Sequence, residues 1–393
     1  MRTIRDIQLF ENVPILVRAA LNVPIENGRV ANDYRLRRAL PTIQYLRDRG
    51  AKVILISHIG EKGTETLAPV AATLGTLISG VSFFPETIGT RVRAAIRDLP
   101  AGGVLVLENL RRDRGEKENN PKFASELAAL ADVFVEDSFD TCHRRHASIV
   151  GVPKFLPSYA GLLIEEEVKE LSQALTPKHP ALAVIGGAKF SSKEGVVSRL
   201  LELYDNVFIG GALADDFLKA SGQEVGKSLV SGAPPARIEK LLSNPKLILP
   251  VDSLVIPTNA DGPEVRRHTA GVSSASRIAP QGQVQPDESI IDHGPGTIAL
   301  LENLAQNAKT ILWSGPLGNY ENGFVGATDA FARAVAASDA RSVVGGGDTI
   351  ASIEGLGLLP KFSFVSTGGG AMLNFLANGT LPGIEALESH PSA

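Results

Sequence analysis

The chain has 393 residues, 44% of them hydrophobic, a formal net charge of −4 and one cysteine, Cys142. That length fits two domains better than a single core, and the apolar content excludes a disordered chain. The slightly negative balance excludes a broad nucleic-acid or membrane-surface binder, so any anion site must be a local cluster of basic residues.

In chain order, short apolar β-rich runs alternate with helical patterns. PILVRA (14–19) predicts the first buried strand and DYRLRRALPTIQYLRDRG (33–50) a helix stopped by Gly50. KVILIS (52–57) and VLVLEN (104–109) predict strands, PKFASELAALA (121–131) a helix, and DVFVED (132–137) another strand. EEEVKELSQALTPKHP (165–180) predicts a helix running into a proline-bounded joint, and the domain boundary is placed there. The second half repeats the rhythm with ALAVIGG (181–187), NVFIGG (206–211), ILWSGP (311–316), SVVGGG (342–347) and FSFVSTGGG (362–370). Such alternation predicts an α/β protein with parallel sheets and helices on both faces.

Ligands of open parallel sheets sit at the carboxyl ends of the strands, so the residues that follow each strand are informative. In the second half, five strands run out into glycine-rich turns, where backbone N–H groups can approach an anion closely. Two of these turns are the triplets Gly345–Gly347 and Gly368–Gly370. The first-half strands instead deliver Arg18 and Asn22, then His58, then Asn109 and Arg111, then Asp137 and TCHRRH (141–146). A basic site built of side chains and a backbone cradle predict two substrates, at least one of them phosphorylated.

Other motifs read as bland. GQEVGKS (222–228) has one residue too few for a phosphate-binding P-loop and follows a helix, so Gly222 reads as a helix C-cap. Cys142, His143 and His146 lack the further ligands of a zinc site. NGT (378–380) matches a glycosylation sequon, which carries no meaning without a secretory signal. MRTIRDIQLF has no signal-peptide apolar core, no run of eighteen apolar residues follows, and a lone cysteine fits a reducing compartment. A cytoplasmic protein is expected.

Taken in order, LVRAALNVP (16–24), SHIG (57–60), LENLR (107–111), GGAKFSSK (186–193), WSGPLGNYE (313–321), GGGDT (345–349) and STGGGA (366–371) resemble phosphoglycerate kinases over essentially the whole chain. The resemblance implies two Rossmann-like, three-layer domains joined by a hinge. Residues 1–170 would form a phosphoglycerate-binding domain and 171–377 a nucleotide-binding domain, with 378–393, including LPGIEALES (381–389), returning to the first. It implies reversible phosphoryl transfer between 1,3-bisphosphoglycerate and ADP, giving 3-phosphoglycerate and ATP. Mg²⁺ would assist, the partners would be these small molecules alone, and the protein would be a monomer.

By the same resemblance, Arg35 and Lys193 would reach the transferring phosphoryl group, with Gly368, Gly369 and Gly370 pointing N–H groups at it. Asn22, His58, Arg111 and Arg144 would hold the phosphoglycerate, with Arg18 and His143 beside them. Lys189 would contact nucleotide phosphates, Asp348 would hold Mg²⁺, and Gly347 and Thr349 would meet the phosphate region. Glu321 would accept from the ribose, and Gly210, Gly211 and Pro316 would wall the base. The first triplet is then the metal–nucleotide end, and the second a bare cradle where a carboxylate would repel the moving charge.

Five positions depart from the family pattern. Ala20 stands where an aspartate would accept from the substrate hydroxyl, and Glu61 stands where a basic residue would meet the substrate phosphate. Asp140 replaces a glycine, Ser192 an aspartate and Ser314 an asparagine. Glu61 is expected to repel the substrate phosphate unless Lys62 compensates. These departures leave three readings open: the family's own reaction, a catalytically weakened relative that binds nucleotide and an anionic ligand, and a kinase for a related sugar acid.

Overall fold

Nearly continuous runs of Val, Ile, Leu and Phe form the strands of two parallel sheets in the computed structural model, which describes residues 1–8, 10–258 and 276–388. The chain divides into two units, residues 1–169 with the segment from Thr380 onward, and residues 170–379.

The parallel sheet of the first unit has the strands β1 (Pro14–Ala19), β2 (Lys52–Ile56), β3 (Val81–Phe84), β4 (Val104–Leu107), β5 (Val133–Asp137) and β6 (Ser158–Ala160), and a separate antiparallel pair joins Ile25–Glu26 to Arg29–Val30. The sheet strands lie in the order β3-β4-β2-β1-β5-β6. Register sets Leu16 beside Ile54 on one side and Phe134 on the other. Alternate side chains feed two cores, because strand side chains point to opposite faces. Val17, Val53 and Val135 pack with Leu36 and Ile43 of the helix Tyr34–Arg47. Leu16, Ile54 and Phe134 pack with Phe123 and Leu127 of the helix Pro121–Ala128. Burial on both faces is why these strands read as unbroken apolar runs rather than alternating ones.

The returning C-terminal helix Pro382–Glu388 belongs to this unit. Gly383 donates its N–H to Cys142 O at 2.9 Å, and a Cβ at Gly383 would stand 2.9 Å from Cys142 Sγ, so only glycine fits against the fully buried cysteine. The predicted return segment runs on to residue 393, and residues 389–393 lie outside the described residues.

The second unit carries β7 (Ala181–Ile185), β8 (Asn206–Ile209), β9 (Leu247–Ile248), β10 (Asp252–Pro257), β11 (Arg277–Pro280), β12 (Glu288–His293), β13 (Thr310–Ser314), β14 (Arg341–Gly345) and β15 (Phe364–Val365). Six form a parallel sheet in the order β9-β8-β7-β13-β14-β15. Trp313, fully buried on β13, packs edge-on against Phe331 at 5.0 Å between ring centroids. The other three, in the order β11-β10-β12, form an antiparallel sheet that the sequence reading did not predict. Two short edge strands of the first sheet, β3 and β6, were also not predicted, since neither is a long apolar run. Gly222 is indeed the left-handed residue (φ +82°) just past the helix Ala212–Ala220, with its N–H donating to Lys219 O. Among the described residues no helix is long and apolar enough to cross a membrane.

Candidate active site

In the first unit the strand order reverses at β1, and the residues that leave the carboxyl ends of β1, β2, β4 and β5 meet there. Arg18, the penultimate residue of β1, is 1% exposed. Its Nη1 donates to Ala19 O at 2.9 Å and Ser57 Oγ at 3.1 Å, and its Nε to Ser148 Oγ at 3.2 Å. Its Nη2 lies 2.8 Å from His58 Nδ1. A guanidinium can only donate, so Nδ1 must accept and the ring proton sits on Nε2. The structure agrees, because burial holds His58 neutral, reinforced by Arg18, Arg111, Arg144 and Arg35 in that order. Four predicted arginines thus act on one ring.

Arg35 leaves the first turn of its helix to donate from Nη1 to Asn22 O at 2.7 Å, while Asn22 Oδ1 accepts from Gly60 N–H at 3.1 Å. The Arg111 side chain is 1% exposed and donates to Gly60 O at 2.5 Å. Nε of Arg111 and Nε of Arg144 are buried donors without a hydrogen-bond partner among the described residues. Buried donors of this kind normally find one, so these two await an acceptor. His143 is half-buried, its charged form disfavoured by burial and by Arg144.

Two acids that departed from the family pattern are seated on these cations. Asp140 Oδ2 lies 3.6 Å from Arg35 Nη1, and Glu61 Oε1 lies 3.1 Å from Arg111 Nη1. Lys117 Nζ donates to Glu61 O at 2.6 Å and stands 3.9 Å from Glu61 Oε2. Arg111 and Lys117 are thus the cations paired with Glu61 among the described residues. Burial works against the Glu61 carboxylate, but the Arg111 hydrogen bond and charge hold it below its usual range. Ala20 is 1% exposed, a packed wall residue rather than the rim of a gap.

In the second unit the strand order reverses between β7 and β13, and the glycine turns after them interlock. Gly186 N–H donates to Ser314 O at 2.8 Å and Gly187 N–H to Pro316 O at 3.0 Å. A Cβ at Gly186 would fall 2.2 Å from Pro316 O, and one at Gly211 2.7 Å from Gly187 N, so side chains are excluded. Gly210 is enclosed by Leu317 and His293. The helices Ala212–Ala220, Gly347–Gly355 and Gly369–Asn378 all begin at such turns and turn backbone N–H groups outward.

The two triplets touch. A Cβ at Gly369 would lie 3.2 Å from Gly346 Cα, and one at Gly345 2.6 Å from Met372 Sδ. Gly370 follows in the first turn of the same helix as Gly369. Asp348 is on the first turn after the first triplet, its carboxyl raised above the usual range by burial and by Glu321. Thr349 is fully buried, with Oγ1 accepting from Gly315 N–H at 3.1 Å, so it braces the turn. Lys193 Nζ would lie 3.3 Å from a Cβ at Gly187, and burial, then Lys189, disfavours its charged form. Ser192 is exposed, its Oγ donating to Lys189 O at 3.0 Å, and Ser314 ends β13 buried. A cavity of about 300 Å³ opens here, lined among others by Gly187, Gly211, Pro316, Glu321 and Asp348. Asp215 and His293 also line it, and the sequence reading missed both.

A family model for phosphoglycerate kinase matches residues 4–379. The phosphoglycerate kinase of Pelotomaculum thermopropionicum is 42% identical over 399 residues, covering 98% of both chains, and that of Moorella thermoacetica is 42% identical with the same coverage. Among solved structures, phosphoglycerate kinase from Coxiella burnetii matches with a TM-score of 0.80 at 36% identity, covering 98% of each chain. The enzyme from Pyrococcus horikoshii matches with a TM-score of 0.85 at 30% identity, covering 99% of this chain and 98% of its own. With the parallel sheets, the arginine cluster and the glycine turns already in place, the chain belongs to the phosphoglycerate kinase family of phosphotransferases.

Proposed function

We propose that the chain transfers a phosphoryl group reversibly between ATP and the carboxylate of 3-phosphoglycerate, forming ADP and the acyl phosphate 1,3-bisphosphoglycerate. The observation that carries this reading is the buried Arg18–His58 pair, 2.8 Å apart, together with the buried Nε donors of Arg111 and Arg144, which have no partner among the described residues. Residues 1–169 would hold the phosphoglycerate and residues 170–379 the nucleotide. The unpartnered Nε donors of Arg111 and Arg144 fit acceptor oxygens of a phosphate, and neutral His58 offers Nε2–H as a further donor.

Phosphoryl transfer needs positioning and charge stabilisation more than covalent chemistry. The substrate carboxylate oxygen attacks the γ-phosphorus as the bond to the ADP oxygen breaks. Arg35 and Lys193 would meet the charge spread over the transferring oxygens, and Gly368, Gly369 and Gly370 would present backbone donors to it. Donor and acceptor must be brought in line with water excluded, which calls for a hinge-like closure. Thr349 and Gly347 shape the phosphate turn, Lys189 supplies positive charge near it, and Glu321 would accept from the ribose.

The residues present fit Mg²⁺. Burial and Glu321 both strain the Asp348 carboxylate toward protonation, and a dication there relieves both effects. Among the described residues no group of three or more His, Cys, Asp or Glu is gathered for a metal. The ion would therefore rest on Asp348, with Glu321 nearby, and on nucleotide phosphates, as Mg²⁺ commonly does. When bound, it would neutralise charge on the phosphate oxygens. The same proposal takes the protein to be a cytoplasmic monomer acting on small molecules.

The test is a coupled assay with 3-phosphoglycerate, ATP and Mg²⁺. Turnover in the ordinary range of kinases, about 1–100 s⁻¹, is expected. Turnover at background with glycerate derivatives lacking the phosphate preferred would overturn the reading.

A further inference from the structure

The cavity of the second unit is mostly apolar, walled by Leu229, Ile290, Pro316 and Leu317 among others. Asp215, on the first turn of the helix Ala212–Ala220, is one of the polar residues set in that wall, with Asp292, His293, Glu321 and Asp348. Asp215 is 2% exposed, and its Oδ1 is buried with no hydrogen-bond partner among the described residues. Asp292, another acid of the lining, accepts from His293 N–H at 2.9 Å and Ala327 N–H at 3.1 Å. Asp216, next in the helix, accepts from Ser231 N–H at 2.8 Å through Oδ1, while its Oδ2 is buried without a partner among the described residues, so Asp215 is the unpartnered acid of the two that lines the cavity. A buried carboxyl oxygen left without a donor is destabilising, and on a residue of a cavity wall an occupant can supply the missing donor.

We propose that Asp215 reads the nucleobase, its carboxyl oxygen accepting a hydrogen bond from an N–H on the edge of the ring. This rests on the reading of the cavity as the nucleoside subsite. Two bases share the required chemistry, through the exocyclic 6-amino group of adenine or the ring N1–H of guanine. Burial, with Asp216 beside it, pushes the Asp215 carboxyl well above its ordinary range. In its protonated form the group still accepts through its carbonyl oxygen, and its O–H can donate to the adjoining N1 of adenine or O6 of guanine. An apolar pocket would hold any flat ring; a partnered acid discriminates, because a base lacking the edge N–H leaves it unsatisfied.

The experiment is calorimetry on the full chain with Mg²⁺ and three probes: ADP, GDP and purine riboside 5′-diphosphate, which has neither edge N–H. The wild type should bind ADP or GDP about ten-fold more tightly than the purine riboside compound. Whichever of the two is preferred identifies the N–H. Asp215→Leu should reduce that preference to within about two-fold while raising the thermal midpoint of the free protein, because it removes an unsatisfied buried acid. Asp215→Asn, which keeps an acceptor and a donor, should retain most of the preference and guards against misfolding of the leucine variant. An undiminished preference in Asp215→Leu, or equal binding of all three probes by the wild type, overturns the role of Asp215 alone. If no probe binds the wild type, the nucleotide reading of the cavity fails with it.

Discussion

Asp140 Oδ2 stands 3.6 Å from Arg35 Nη1, placing a largely buried carboxylate against the arginine proposed to meet the transferring phosphoryl group. Asp140 also accepts from Ser138 Oγ at 2.7 Å, so it is held there rather than drifting in solvent. An incoming anion must compete with it for Arg35. Asp140→Asn keeps the Ser138 hydrogen bond and removes the charge. It should raise kcat/KM for 3-phosphoglycerate about two- to five-fold, the range of a modest ion pair. Steady-state kinetics at fixed ionic strength checks this.

Glu61 shows the same relation more loosely, with its side chain 71% exposed and that of Arg111 only 1%. Glu61→Gln should lower KM for 3-phosphoglycerate about two- to five-fold with little change in kcat, since the pair opposes binding and not transfer. Inhibition by added salt should also become steeper, because the freed Arg111 makes the site more positive. Kinetics across a salt series reads both effects.

Gly346 begins the helix Gly347–Gly355 at φ +109°, a conformation that side chains rarely adopt. Its missing Cβ would also lie 3.4 Å from Gly315 N and Thr349 Oγ1. Gly346→Ala should cost about 1–3 kcal/mol of stability in denaturant unfolding. It should weaken ADP binding in calorimetry by more than that loss of folded protein explains, because the turn aims the helix N-terminus.

His293 is buried, and burial lowers its pKa from the ordinary 6.5 to about 4. The unfolded chain therefore takes up a proton near pH 6.5, while the folded protein resists until about pH 4. Its contribution is complete above pH 6.5 and is lost as pH falls toward 4. His293→Gln keeps an acceptor for Gly211 N–H, which lies 3.3 Å from His293 Nε2. The variant's melting temperature should fall less between pH 6.5 and 4 than that of the wild type, measured by thermal unfolding across that window.

The buried strands were legible because both their faces are covered, so Leu16, Val17 and Ile54 needed no alternation to be read. Edge strands such as Val81–Phe84 were not, being short and partly exposed. The antiparallel sheet was hidden because its strand Asp252–Pro257 pairs with two others that carry no strong apolar run. The glycine turns were readable as a pattern, yet their mutual contact, Gly369 against Gly346, is a tertiary fact. Glu61 and Asp140 stood out as departures from the family pattern, but a sequence does not say which arginine each will reach. Asp215 carries no motif in the sequence, and it is the combination of a place in the cavity wall with a buried, unpartnered oxygen among the described residues that distinguishes it.

In the proposed reaction Arg35 and Lys193, carried by separate units of the chain, would each meet charge on the transferring phosphoryl group. The most direct measurement sets kcat against ADP affinity in Arg35→Ala and Lys193→Ala, with Arg35→Lys as a control for charge alone. A guanidinium or ammonium that meets charge developing only during transfer should leave ADP binding within about two-fold while kcat falls on the order of 10³-fold. Near wild-type turnover in either alanine variant would contradict the account.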